Sequence, residues 1–242
     1  MKILSIGNSF SQDAHKYLHA LSVADGHPLE TVNLYIGGCS LERHYKNMLS
    51  DAKEYSMEVN GAPIGRTVSL SEALSESEYD VITLQQVSGL SGRPQSYFPY
   101  LTALADYVRE KNPGAELYLH RTWSYEKDFA RETFAAYNSD QNEMYRRLVD
   151  ATLMASEVIG ARLIPTGDAI QKLRTVPEFD YGNGGISLCR DGFHLSLDYG
   201  RFAAAVTWYH TLTGNVPTVT SFADLSPTLV DRIIATVTSD CE

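Results

Sequence analysis

The sequence predicts an α/β fold in which a mainly parallel sheet is covered on both faces by helices. Three observations carry that prediction. Apolar runs of strand length alternate with segments of helical periodicity, the runs read as buried strands, and the connections between them are short.

The first run, "ILSIG" at residues 3–7, is a strand ending on a glycine. Ala14, Tyr17, Leu18, Leu21 and Ala24 then recur at helical spacing, with Gly26 as the stop. "TVNLYIGG" is the second strand and ends at Gly37-Gly38; a short helix over 41–50 follows. Residues 54–70 read as a hairpin, because Asn60-Gly61 stands between two β-prone runs. "YDVITLQQ" is the third strand of the parallel set. Its helix carries Leu101, Leu104, Ala105 and Val108 on one face and stops at "KNPG". "AELYLHRTW" is the fourth strand. Met144, Leu148, Ala151, Ala155 and Ile159 mark a long helix, "ARLIP" is a fifth strand, and two helices are expected near 197–212 and 226–238. The 242 residues show no linker or compositional break, so one domain over 1–242 is expected.

Composition narrows the function. A formal charge of −10 disfavours nucleic acid and anionic membrane surfaces as main partners. No segment approaches the ~20 apolar residues of a membrane span. Lys2 is followed only by "ILSI" before polar residues, too short for a signal peptide, so a cytoplasmic location is expected. Cys39, Cys189 and Cys241 form no CxxC pair and are odd in number, which points to reduced thiols and to no metal site.

In sheets of this kind ligands bind beyond the carboxyl ends of the strands. Those ends here are "GNSFS", "GGCS", "QQVSG" and "HRTW". Ser9 follows the first strand and precedes the first helix, where backbone N–H groups are unpaired and the dipole favours negative charge. It is either presented for chemistry or, like Ser11, a helix N-cap. A nucleophilic serine needs a base. His15, His19, His44 and His210 lie in helical patterns, His27 is in a turn and His120 ends a strand. His194 differs, because "RDGFHLS" sets it three residues after Asp191 in a glycine-containing turn. That spacing puts carboxylate and imidazole on one loop, and the order Ser…Asp…His is one that α/β hydrolases use.

On these residues the chain resembles the SGNH, or GDSL-like, hydrolases. Gly7-Asn8-Ser9 is similar to their first block, with Asn8 where the family carries aspartate, and Asp191-Gly192-Phe193-His194 to their last. Gly38 stands where their second block supplies a glycine. Their third block, Gly-x-Asn-Asp, is missing, and "LQQVSG" stands in its place.

The resemblance implies a three-layer α/β/α sandwich with a flavodoxin-like sheet. It also implies a serine esterase with Ser9 as nucleophile, His194 as base and Asp191 orienting the ring. The Ser9 and Gly38 N–H groups and the Gln85 side chain, with Gln86 as alternate, would bind the oxyanion. Neither cofactor nor metal is required. The implied substrate is a small ester, with O-deacetylation of a carbohydrate as the specific case; a thioesterase or lysophospholipase would use the same chemistry. The competing class is a non-catalytic sugar-binding protein on the same fold. A phosphate-binding reading of "GNSFS" and "GGCS" lacks a glycine-rich fingerprint.

Around the site, Trp123 and Tyr125 either line the cleft or, for Trp123, pack beneath a loop. Residues 175–190, including "YGNGGISL", form either a lid or a passive loop. Arg121 and Arg190 either bind an anionic group or make surface salt bridges.

Overall fold

The computed structural model describes residues 1–239. Its strands are β1 (Lys2–Gly7), β2 (Glu30–Tyr35), β3 (Tyr55–Val59), β4 (Ala62–Val68), β5 (Val81–Leu84), β6 (Glu116–His120) and β7 (Arg162–Ile164). Its helices are α1 (Ser9–Ala24), α2 (Leu41–Ser50), α3 (Leu70–Glu76), α4 (Tyr100–Lys111), α5 (Glu132–Ala135), α6 (Gln141–Ile159), α7 (Thr166–Leu173), α8 (Tyr199–Thr213) and α9 (Pro227–Thr238).

The seven strands form one sheet in the order β4-β3-β2-β1-β5-β6-β7. Five of them, β2-β1-β5-β6-β7, are parallel, which is the flavodoxin-like order. The β3–β4 hairpin adds antiparallel to β2 and turns at Asn60-Gly61, both at positive φ. Because side chains alternate along a strand, β1 feeds two cores: Ile3 packs with α1, α8 and α9, and Leu4 and Ile6 pack with α2, α3 and α4.

The expected elements are present, and three helices are additional, α3, α5 and α7. α3 begins at a capping box in which Ser69 Oγ accepts from the Glu72 N–H and the Glu72 carboxylate accepts from the Ser69 N–H. α7 follows the three-residue β7 directly. Cys39 and Cys189 are free and buried, and Cys241 lies outside the described residues. No helix among the described residues is long and apolar enough to cross a membrane.

Three histidines are built into the interior. His15 Nε2 bonds Ser5 Oγ at 2.7 Å, His44 Nδ1 bonds the Tyr55 hydroxyl at 3.0 Å, and His120 is held at both ring nitrogens. Burial lowers each of the three to about 3, with Arg43 adding to the effect at His44 and His15 at His120. These rings stay neutral in the folded chain while an unfolded chain protonates near pH 6.5. Stability is therefore complete above that pH and falls as pH drops from about 6.5 toward about 3, by roughly 1 kcal/mol per pH unit for each ring. Urea unfolding at a series of pH values should show the midpoint falling steeply below pH 6. A midpoint flat down to pH 4 would contradict neutral buried rings.

Candidate active site

β1 ends at Gly7, where a Cβ would stand 2.3 Å from Ser11 Oγ and 3.2 Å from the Gln85 side chain. Only glycine lets the strand turn so tightly into α1. The N-cap of α1 is Asn8, not Ser9 or Ser11: Asn8 Oδ1 accepts from the Phe10 N–H at 3.0 Å. Ser11 instead bonds the Asn8 carbonyl and Asn33 Oδ1 in the interior. With the cap made by its neighbour, the Ser9 hydroxyl is free to point elsewhere.

It points to His194. Ser9 Oγ lies 2.8 Å from His194 Nε2, and His194 Nδ1 lies 2.7 Å from Asp191 Oδ2. The turn that carries the pair closes on itself, since Asp191 Oδ1 accepts from the N–H groups of Phe193 and His194 at 3.3 and 2.8 Å. Partial burial pushes the Asp191 carboxyl up, but the ring and backbone donors of His194 and the Phe193 N–H outweigh it. The carboxyl ends below its ordinary range and remains the charged acceptor that holds the imidazole. Gly192 is at φ +84°, and a Cβ there would meet the Phe129 ring at 2.4 Å.

A residue absent from the sequence reading ties this turn to the serine. Asp13, one turn of α1 beyond Ser9, has no exposed side-chain surface. It accepts from Arg190 at 3.0 Å, from Arg201 at 2.8 Å and from the Leu195 N–H at 3.0 Å. One helix therefore presents the hydroxyl and anchors the loop that presents the imidazole.

The expected amide donors are used elsewhere. Gln85 is buried, donates from Nε2 to Asn8 Oδ1 at 2.7 Å, and holds the ring of His120 through Oε1 at 2.8 Å. The chain of donors is complete. Trp208 gives to Thr166, the Thr166 hydroxyl to His120 Nε2, His120 Nδ1–H to Gln85, Gln85 to Asn8, and Asn8 Nδ2 to the Cys39 carbonyl. Gln85 thus positions the Asn8 cap and the Gly37–Cys39 turn from behind. Gln86 is also committed, donating to Ser96 and accepting from the N–H groups of Leu41 and Val87. Neither glutamine lines the cavity at Ser9.

That cavity has a volume of about 580 Å³ and includes Ser9, Gly38 and His194 in its wall. Gly38 sits at φ +62° in a turn closed by the Cys39 N–H on the Ile36 carbonyl, which leaves the Gly38 N–H outside that bond. Tyr125 lines the cavity and its hydroxyl bonds Ser88 Oγ at 2.9 Å. Trp123 does not line it. Its indole stacks on Phe10 at 4.2 Å, and its Nε1 donates to the Phe193 carbonyl at 2.7 Å, fixing the backbone beside His194. Arg121 is a buried partner of Asp168 at 2.6 Å and does not line the cavity. The 175–190 segment is pinned by buried Phe179 and Leu188, and it reaches the cavity wall only at Arg190.

Residues 2–232 match the profile of DUF4886, a domain of unknown function. A DUF4886 protein of known structure from Bacteroides uniformis ATCC 8492 is 36% identical, with a TM-score of 0.90 over 98% of this chain and 93% of that one. The chain belongs to the DUF4886 family. Its fold is that of the SGNH hydrolases. A protein from Slackia heliotrinireducens assigned to the SGNH hydrolases matches the DUF4886 chain at TM-score 0.59 and 21% identity, over 88% of this chain and 98% of that one. An acetyl xylan esterase, AlAXEase, matches at 0.58 and 14%, over 88% and 100%. No curated protein sequence matches. Among the described residues of the DUF4886 chain, no group of three His, Cys, Asp or Glu side chains is placed to hold a metal ion.

Proposed function

We propose that this chain is a serine esterase acting on a small ester through Ser9, His194 and Asp191. The observation that carries the reading is the continuous line of short bonds from Ser9 Oγ to His194 to Asp191 at the wall of a cavity. In the reaction, His194 Nε2 takes the Ser9 proton as Oγ attacks the acyl carbon. The carbonyl electron pair moves to oxygen, beside the N–H groups of Ser9 at the start of α1 and of Gly38. Collapse expels the alcohol, which leaves with the proton from His194. Water then attacks the acyl-enzyme with His194 again as base, releasing the acid and restoring Ser9.

With both glutamine amides bound elsewhere, the oxyanion relies on backbone donors. An additional donor in such a hole contributes about 3–4 kcal/mol, so turnover on simple esters is expected to be modest. An O-acetylated carbohydrate is the specific substrate class proposed, in keeping with the SGNH resemblance and the acetyl xylan esterase among the fold relatives. Initial rates on p-nitrophenyl acetate and longer acyl esters test the reading. Hydrolysis by the wild type that falls to background in Ser9→Ala, with circular dichroism unchanged, is the expected result. Equal rates in the two proteins would remove Ser9 from the reaction.

A further inference from the structure

The charge of the cavity wall runs against that of the chain. The sequence carries 30 acidic and 20 basic residues, yet the cavity at Ser9 is lined by Arg93, Arg131 and Arg190 and by no aspartate or glutamate. Glu132 follows Arg131 in sequence but does not form part of this wall. Arg190 is already compensated, being bound to both carboxylate oxygens of buried Asp13. Arg93 and Arg131 are not: among the described residues, neither has a carboxylate within ion-pair distance. Arg93 lies against the Tyr137 hydroxyl.

Arg131 is held in a particular way. Its guanidinium lies 4.8 Å from the centre of the Phe193 ring and 5.4 Å from that of Phe129. The Phe193 ring in turn lies 3.9 Å from the imidazole of His194. Packing a guanidinium against aromatic rings occupies its faces and leaves its in-plane N–H donors free, the edge that grips a carboxylate or phosphate. The stack holds Arg131 in the wall of the cavity that His194 also lines.

Resting on the esterase reading above, we propose that the substrate is an ester bearing an anionic group, a carboxylate or phosphate, which Arg131 and Arg93 bind while the acyl carbon meets Ser9. The two arginines come from separate loops, after β5 and after β6, and both reach the wall of this cavity. In an acidic protein that repels anions at long range, such a pair selects the charged ester at close quarters.

The test compares matched esters in the full-length protein. For the acyl side, p-nitrophenyl hemiglutarate is set against p-nitrophenyl valerate. For the alcohol side, 4-acetoxybenzoate and 4-acetoxyphenyl phosphate are set against methyl 4-acetoxybenzoate. The readout is the ratio of kcat/KM for the anionic to the neutral ester, so any general change in reactivity cancels. The wild type is expected to favour at least one anionic ester. The ratio should drop about 10- to 100-fold in Arg131→Gln, the loss of a charge-assisted bond. It should drop in Arg93→Gln as well, and be partly restored in Arg131→Lys. It should also shrink as salt rises from 0.02 to 0.5 M.

Ser9-dependent hydrolysis with no anionic preference, or with a ratio unmoved by both glutamine variants, would overturn this inference and leave the esterase reading standing. Absence of Ser9-dependent hydrolysis of every ester would instead overturn the esterase reading. Titration calorimetry of glutarate and inorganic phosphate then decides the anion site. Binding weakened in Arg131→Gln supports it, and no binding to the wild type overturns it.

Discussion

Replacing His194 by glutamine is expected to lower kcat for ester hydrolysis by about 10³- to 10⁶-fold while the chain stays folded. The side chain is close in size, and the neighbouring backbone is held by bonds that do not involve the ring: the Trp123 indole on the Phe193 carbonyl, Asp13 on the Leu195 N–H and Asp191 on the His194 N–H. What disappears is the only imidazole in reach of Ser9 Oγ among the described residues. Asp191→Asn should cost less. Its carboxylate is 43% exposed, so water can take over part of the contact to the ring. Steady-state kinetics with a chromogenic ester, beside a thermal melt, give both numbers. A His194→Gln enzyme within tenfold of wild type would mean that Ser9 is activated by something else.

The second large effect is on stability. Asp13→Ala should destabilise the fold by about 3 kcal/mol or more, because removing one member of a buried ionic network strands the others. The carboxylate is fully buried; both Arg190 and Arg201 lose their carboxylate partner, and the Leu195 N–H loses its acceptor. Activity should fall further than the folded fraction does, since the loop bearing His194 loses its anchor to the helix bearing Ser9. Asp13→Asn, which keeps one acceptor oxygen, should recover part of the stability. Denaturant unfolding followed by fluorescence measures the difference. A change within 0.5 kcal/mol for Asp13→Ala, the scale of an ordinary surface substitution, would contradict the anchoring role.

Much of the layout is legible in the sequence for simple physical reasons. Strands covered on both faces must be apolar along their whole length, so β1, β2, β5 and β6 stand out as short runs, and Asn60-Gly61 supplies the positive φ the hairpin needs. Ser9 and the Asp191–His194 turn are visible because each is a local pattern at a strand end or in a glycine turn. α7 is masked in the sequence because only Pro165 separates it from β7, which is three residues long.

The remainder depends on partners far apart in sequence. An aspartate in a helix reads as solvent-facing, and Asp13 is buried only because arginines 177 and 188 positions away reach it. Gln85 and Gln86 at a strand end look like free amides. Their roles as buttresses are set by Asn8, His120 and Ser96, which only the folded chain brings beside them. Trp123 looks like a cleft aromatic until Phe10 covers it. Arg93 and Arg131 lie in irregular loops, where no periodicity marks the direction of a side chain.

Covalent capture tests directly whether Ser9 is an activated nucleophile. Wild type, Ser9→Ala and His194→Gln would each be incubated with a fluorophosphonate, and the adduct mapped by intact and peptide mass spectrometry. One adduct per chain is expected, on Ser9, formed in the wild type, absent in Ser9→Ala and greatly slowed in His194→Gln. A folded wild type that remains unlabelled, or that labels equally well without His194, would contradict it and leave the cavity as a binding site.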